Sequence, residues 1–350
     1  MKILIYFEGA KVLAKSGIGR ALEHQKQALE EMGISYTLDS ECLDYDILHI
    51  NTYGLNSRRM IRKARRLGKK VIYHAHSTEE DFRNSFIGSN LLAPLFGRYL
   101  ISLYKKADYL ITPTPYSKGL LEKHGLNLPI SAISNGIDLK EYQPDSYKEK
   151  LFRDYFHLEP NQKVIICVGL FFKRKGIIDF VELAKKFPDY TFIWFGHVAL
   201  MSVPRNIRKI VKKDHPENVI FPGYIKGDVL EGAYSGADLF FFPSYEETEG
   251  IVVLEALASR QQVLVRDIPV YQDWLISGKN CYKASSNEEF AKDIKRIING
   301  EFPSVASEGF KTAEKRSIHA IGKQLMAVYQ QVLAQEKEVL PFQLENTDGK

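Results

Sequence analysis

Two glutamates separated by seven residues, Glu247 and Glu255, stand in the stretch Pro243-Ser-Tyr-Glu-Glu-Thr-Glu-Gly-Ile-Val-Val-Leu-Glu-Ala-Leu-Ala258. The stretch reads as a strand end, a polar loop and then a helix, so Glu247 lies in the loop and Glu255 in the second helical turn. From there both can reach one ligand. A carboxylate accepts two hydrogen bonds side by side, which suits the hydroxyls of a sugar or a ribose. The backbone N–H groups of Gly250, Ile251 and Val252, at a helix N-terminus, suit a phosphate. Taken alone, glutamates in such a loop could equally serve only the helix macrodipole.

The elements that must hold this loop follow a regular grammar. Short apolar runs alternate with helical patterns: Ile3–Phe7, a helix from about Arg20 to Met32, Asp46–Ile50, a basic helix after Ser57, Lys70–His74 and Tyr109–Thr112. The pattern restarts with Lys163–Val168, Tyr190–Phe195, Asn218–Phe221, Leu239–Phe242 and Gln262–Val265. Strands spaced by helices imply parallel sheets with crossover connections. The fold class expected is α/β, with two Rossmann-like doubly wound parallel sheets that face one cleft. At 350 residues the chain can build two such cores. The prolines of Glu141-Tyr-Gln-Pro-Asp-Ser-Tyr147 and His157-Leu-Glu-Pro-Asn161 bracket a joint, giving domains 1–157 and 158–316. A C-terminal helix and a disordered tail, 317–350, complete the expectation. Open sheets of this kind bind ligands beyond the carboxyl ends of their strands.

In that setting the Glu247/Glu255 pair resembles the hallmark of the retaining glycosyltransferases of family 4, which share the GT-B fold. The resemblance implies that Glu247 contacts the donor sugar and Glu255 the ribose. Other segments match in the family's order. Ser16-Gly-Ile-Gly-Arg20 places Gly17 and Gly19 where the backbone can approach the donor diphosphate. Ile133-Ser-Asn-Gly-Ile-Asp138 looks like the family's segment at the end of the first domain. Val168-Gly-Leu-Phe-Phe-Lys-Arg-Lys-Gly176 looks like its phosphate-binding loop, with Lys175 neutralising the leaving group and Lys173 or Arg174 assisting. Here the chain departs from the family, because Leu170 stands where an arginine commonly follows the first glycine. His76, in Tyr73-His-Ala-His-Ser77, aligns with the cleft histidine, whereas His49, His74 and His124 are assigned to structure. The main chain around Tyr224 and Ile225 would line a uracil pocket. The implied reaction is front-face hexose transfer from a UDP-sugar co-substrate, with no cofactor and no metal, and His76, Lys175 and Glu247 as its catalytic residues.

Composition bounds the acceptor. Residues 1–150 carry 22 Lys+Arg against 17 Asp+Glu, while the remainder holds 26 of each, so any anionic partner is expected on the first half. Eight cations crowd Ser57–Lys70, including Arg58, Arg59, Arg62, Lys63, Arg65 and Arg66, and Met60, Ile61, Ala64 and Leu67 recur beside them at helical spacing. This suits an anionic membrane surface as well as a solvated crossover helix. The apolar run Ile87–Lys106 fits a core helix or an interfacial one equally. No run reaches the length of a membrane span, and the N-terminus suits a first strand better than a signal peptide. A cytoplasmic enzyme, peripheral on the inner face of the cell membrane, is the expectation. Within the family the wording resembles bacterial synthases, of streptococcal type, that add galactose or glucose to monoglucosyldiacylglycerol. A family member extending a polysaccharide, a nucleotide-sugar epimerase and a silent sugar-binding module are the rivals. Cys42, Cys167 and Cys281 lack metal or disulfide spacing, and no groove-reading motif supports nucleic-acid binding.

Overall fold

A computed structural model describes residues 1–9 and 16–334; the expected disordered tail lies outside them. Among the described residues two six-stranded sheets form, each parallel throughout. The first contains β1 (Lys2–Tyr6), β2 (Ser35–Thr37), β3 (Ile47–Ile50), β4 (Lys70–His74), β5 (Tyr109–Thr112) and β6 (Ile130–Ala132), in the order β2-β1-β3-β4-β5-β6. The second contains β7 (Lys163–Val168), β8 (Tyr190–Phe195), β9 (Val219–Gly223), β10 (Leu239–Phe242), β11 (Val263–Arg266) and β12 (Tyr282–Ala284), in the order β12-β11-β10-β7-β8-β9. Helices α1 (Gly17–Glu31), α2 (Ser57–Arg66), α3 (Glu79–Phe82), α4 (Ser89–Tyr104), α5 (Pro115–Lys123) and α6 (Ser146–Tyr155) belong to the first half of the chain. Then follow α7 (Ile177–Lys186), α8 (Arg205–Lys212), α9 (Asp228–Gly236), α10 (Ile251–Ala258), α11 (Asn287–Ile298), α12 (Ala306–Glu314) and α13 (Ile318–Ala334).

Strands covered on both faces must be apolar at successive positions, and β3, β5, β10 and β11 are buried at every residue. In the second domain Phe180, Phe192, Trp194 and Phe241 pack together, with Phe180 meeting Phe192 at 5.3 Å and Trp194 at 5.1 Å, both edge to face. The first sheet is covered by α2 and α4 on one face and by α1 and α13 on the other. The last helix therefore returns from the second domain to the first. Helix α6 lies ahead of the expected joint, yet it packs on α9: a side chain at Gly232 would meet Lys148 O at 2.0 Å, and Phe152 sits in the second core.

Strand order reverses between β1 and β3 in the first sheet, and between β7 and β10 in the second. Loops leaving strands at such a switch point form a ligand crevice. In the second domain those are residues 169–176 and 243–250, which contain Lys175 and Glu247.

Candidate active site

The two loops of the second domain are held in backbone contact. Gly176 has φ +79°, and a side chain there would meet Pro243 O at 2.4 Å, so the close approach needs glycine. Tyr245 N donates to Arg174 O at 2.7 Å. This clasp brings Lys175 Nζ into a direct ion pair with Glu247, whose Oε1 also accepts from Ser244 Oγ at 2.6 Å. Glu247 is 6% exposed. Burial lowers the Lys175 pKa, and the Glu247 charge opposes that shift. A buried pair of this kind persists because each partner compensates the other's lost hydration, and a ligand offering an anion to Lys175 and hydroxyls to Glu247 can take over both roles.

Glu255 lies in the second turn of α10, 5% exposed. Tyr234 OH donates to its Oε2 at 2.5 Å, and Arg20 Nε stands 3.6 Å from its Oε1. Arg20 also forks onto Glu141 at 2.9 and 3.0 Å and donates to Tyr142 OH at 2.9 Å. It comes from the first turn of α1, beside Gly17 and Gly19, so the glycine segment contributes a cation that spacing alone did not reveal. Gly19 N–H is engaged by its own cap, Ser16 Oγ, at 3.4 Å. Gly17 is exposed, with open space where a side chain would point.

At the start of α10, Gly250 has φ +92°, and a side chain would approach Tyr271 OH to 2.8 Å. Its left-handed backbone turns the chain so that the first-turn N–H groups of Ile251 and Val252 point out of the helix end. Lys173 is exposed. Arg174 is engaged elsewhere: its Nε donates to Ser85 Oγ at 2.9 Å and its Nη1 to Glu246 O at 3.0 Å, tying the first domain to the loop. Tyr224, 42% exposed, and the half-buried Ile225 follow the end of β9.

From the first domain, His76 follows β4 and is 6% exposed. Its ring stacks on His74 at 3.9 Å, and His74 lies 5.5 Å from His49. Burial pushes His76 down to about 4 and His49 to about 3, so these rings are neutral at pH 7. Asn51 Nδ2 donates to Gln25 Oε1 at 2.9 Å, which turns Asn51 Oδ1 towards His76 Nε2 at 3.0 Å. A carbonyl can only accept, so this network assigns the proton to Nε2 and leaves Nδ1 as an acceptor.

Sequence reasoning missed the residues that join the two domains. Asn135 sits beside His76, and its main-chain N–H and Nδ2 donate to Glu249 Oε2 at 2.9 and 2.7 Å. Tyr116 OH donates to Glu246 Oε1 at 3.0 Å, and Thr114 Oγ1 to Thr248 O at 2.8 Å. Burial, with Glu247 and Asp81 nearby, pushes Glu246 up to about 7 against the Tyr116 bond. Asn135 belongs to the Ile133–Asp138 segment, so a signal existed, but the partner was not readable.

The cations of α2 divide into two sets. Arg58 Nη2 bonds Ser102 Oγ at 2.7 Å, Lys63 bonds Ser40 O at 2.7 Å, and Arg65 pairs with Asp108 at 2.7 Å. Arg59, Arg62 and Arg66 are exposed and make no ion pair or hydrogen bond among the described residues. With Leu43 and Leu67 they line a surface depression of about 440 Å³. On α4, Ala93, Leu100 and Leu103 are buried while Leu91, Leu92 and Leu95 are 83%, 50% and 62% exposed. The apolar segment is thus both a core helix and an exposed apolar ridge.

Two Rossmann-like parallel sheets, with an ion-paired lysine and glutamate at the switch point of the second and a buried neutral histidine after β4 of the first, define a GT-B glycosyltransferase. Residues 17–141 match the family model described as Glycosyltransferase Family 4, and residues 148–316 the one described as Glycosyl transferases group 1. The chain is 48% identical over 334 residues to a processive diacylglycerol alpha-glucosyltransferase of Acholeplasma laidlawii, covering 95% of this chain and 99% of the relative. It is 27% identical over 255 residues to an alpha-galactosylglucosyldiacylglycerol synthase of Streptococcus pneumoniae, covering 72% of this chain and 67% of the relative. HepE of Anabaena, solved in complex with UDP-glucose, superposes with a TM-score of 0.77 at 18% identity, covering 95% of this chain and all of that one. The chain belongs to glycosyltransferase family 4.

Proposed function

We propose that the chain transfers hexose, with glucose favoured, from a UDP-sugar onto a diacylglycerol-based acceptor, keeping the anomeric configuration and building a dihexosyl-diacylglycerol. One observation carries this reading: 48% identity, extending over 99% of a processive diacylglycerol alpha-glucosyltransferase. That relative's name also favours successive additions by one enzyme.

The geometry supplies roles. Lys175 and the N-terminus of α10 would stabilise the departing diphosphate, an electrostatic contribution that grows as the sugar–phosphate bond breaks. Glu247 would hold the sugar hydroxyls and Glu255 the ribose. His76, with Nε2–H fixed by Asn51, would offer Nδ1 to a hydroxyl proton of the sugar. Gly17, Gly19, Lys173 and the main chain at Gly250, Ile251, Val252, Tyr224 and Ile225 are assigned to the rest of the donor. Arg174 is assigned to interdomain contact, and no metal is assigned to the site. The acceptor unit would be the first domain, with the working seam ahead of α6 rather than at 158, since α6 packs on α9.

We also place the enzyme on the inner membrane face. No described helix is long and apolar enough to cross a membrane. Arg59, Arg62 and Arg66 supply exposed positive charge, and Leu91, Leu92 and Leu95 supply apolar surface, the combination that binds an anionic interface. The decisive assay offers radiolabelled UDP-glucose and UDP-galactose separately, with vesicles containing diacylglycerol or glucosyldiacylglycerol, and resolves the products by linkage. Incorporation from UDP-glucose into α-linked lipid is expected. Incorporation only into soluble saccharides, or epimerisation without acceptor, would replace the reading.

A further inference from the structure

The loop that carries Glu247 faces two ways. Glu247 is bonded within its own domain by Lys175 and Ser244. Its neighbours Glu246, Thr248 and Glu249 are bonded from the first domain by Tyr116, Thr114 and Asn135. Glu249 is the most enclosed of these, 1% exposed. A carboxylate that far from water is costly unless it is hydrogen-bonded. Both donors to its Oε2 come from Asn135, across the domain interface. Burial raises its pKa, and Ser134, Asn135 and the nearby Arg316 oppose that shift. Separation of the domains would strip the carboxylate of Asn135, so the contact exists only in the closed arrangement.

Asn135 carries the contact onward. Its carbonyl lies 3.2 Å from His24 Nδ1, and its side chain lies beside His76. A displacement of Glu249 therefore moves Asn135, and with it the surroundings of His76, relative to the Lys175–Glu247 pair two residues away in the loop. We propose that Glu249 is a positioning residue: it clamps the donor loop to Asn135 and so sets the closed cleft in which His76 and Glu247 face the same sugar. This deepens the proposed function and rests on it for the identity of the sugar donor.

The test compares wild type with Glu249→Gln, an isosteric change that keeps an accepting oxygen for Asn135 but removes the charge, so that the bonds across the interface lose their charge assistance. Transfer from UDP-glucose to glycolipid vesicles should lose about 10- to 100-fold in kcat, the worth of a hydrogen bond to a buried charge. Affinity for UDP, measured by calorimetry, should fall less than kcat, because most of the groups assigned to UDP, Lys175, Glu255 and the N-terminus of α10, belong to the second domain and stay in place. Adding Asn135→Asp should recover most of the lost kcat, since the Asp carboxylate can accept from the Gln amide, a rescue that a residue merely supporting the fold would not give. Where Glu249→Gln does not fold, Asn135→Ala removes the side-chain donor but keeps the main-chain one, and about a tenfold kcat loss is expected. A kcat within twofold of wild type in the single variant, or no recovery in the double variant, overturns the clamp. Small-angle scattering separates this from the functional reading. If wild type transfers nothing to lipid, the functional reading fails, while an enlarged radius of gyration in Glu249→Gln still supports the clamp and an unchanged one overturns it.

Discussion

Around Glu247 and Glu255 charge is buried and bonded: Lys175 and Ser244 hold the first, Tyr234 and Arg20 the second. On the outer face of α2 charge is concentrated but loose, with Arg59, Arg62 and Arg66 exposed and unpaired among the described residues. The same elementary charges do different work in the two places. Fixed, desolvated groups discriminate by geometry, because a displaced partner leaves a buried charge unsatisfied. Exposed cations contribute an attractive field that salt screens and that says little about orientation. On the proposed function, donor recognition should therefore be sensitive to single atoms and membrane attachment only to total charge.

The sharpest attempt to break this contrast is Lys175→Ala. Loss of the group proposed to face the leaving diphosphate should lower kcat by about 100- to 1000-fold in the vesicle transfer assay, and a variant with near-normal turnover would remove the electrostatic argument. Neutralising Arg59, Arg62 and Arg66 to Ser should weaken binding to anionic vesicles about 100-fold, at about 1 kcal/mol per cation. UDP affinity should be unchanged, and co-sedimentation of the wild type should fall as salt rises. Equal vesicle binding by the triple variant would detach α2 from the membrane.

Tyr234→Phe sharpens the donor side. It removes the hydroxyl that orients Glu255 and should raise KM for the UDP-sugar about tenfold, with little change in kcat. The smallest effect per group is acid sensitivity. Buried His24, His49 and His76 have pKa values lowered to about 4, 3 and 4. An unfolded histidine protonates near 6.5 and these rings do not, so their neutral burial costs nothing above that value and stability falls as pH drops from about 6.5 towards 4. Each ring should cost about 0.7 kcal/mol between pH 7 and pH 6. Thermal melts across that range check it; a flat profile would mean the rings are hydrated.

Central strands were legible because burial on both faces demands continuous apolar runs, as in Leu239–Phe242. The edge strands β2, β6 and β12 carry no such run: Ser35-Tyr-Thr37, Ile130-Ser-Ala132 and Tyr282-Lys-Ala284 are three residues each and mix polar with apolar side chains. An edge strand is paired on one side only, so its composition is weakly constrained. The segment Ile87–Lys106 allowed a core helix or an interfacial one, and only packing revealed that it divides the two roles between its faces.

Local sequence was enough for the alternating strand and helix order, the loop-then-helix placement of Glu247 and Glu255, and the basic bias of the first half. These depend on local periodicity and on spacing within one loop and helix. What those residues meet followed only from the folded chain. It paired Lys175 with Glu247, brought Arg20 to Glu255 and closed Glu249 onto Asn135, contacts spanning 72, 235 and 114 residues. Such partners are chosen by where two sheets bring their strand ends together, and no local pattern encodes that distance.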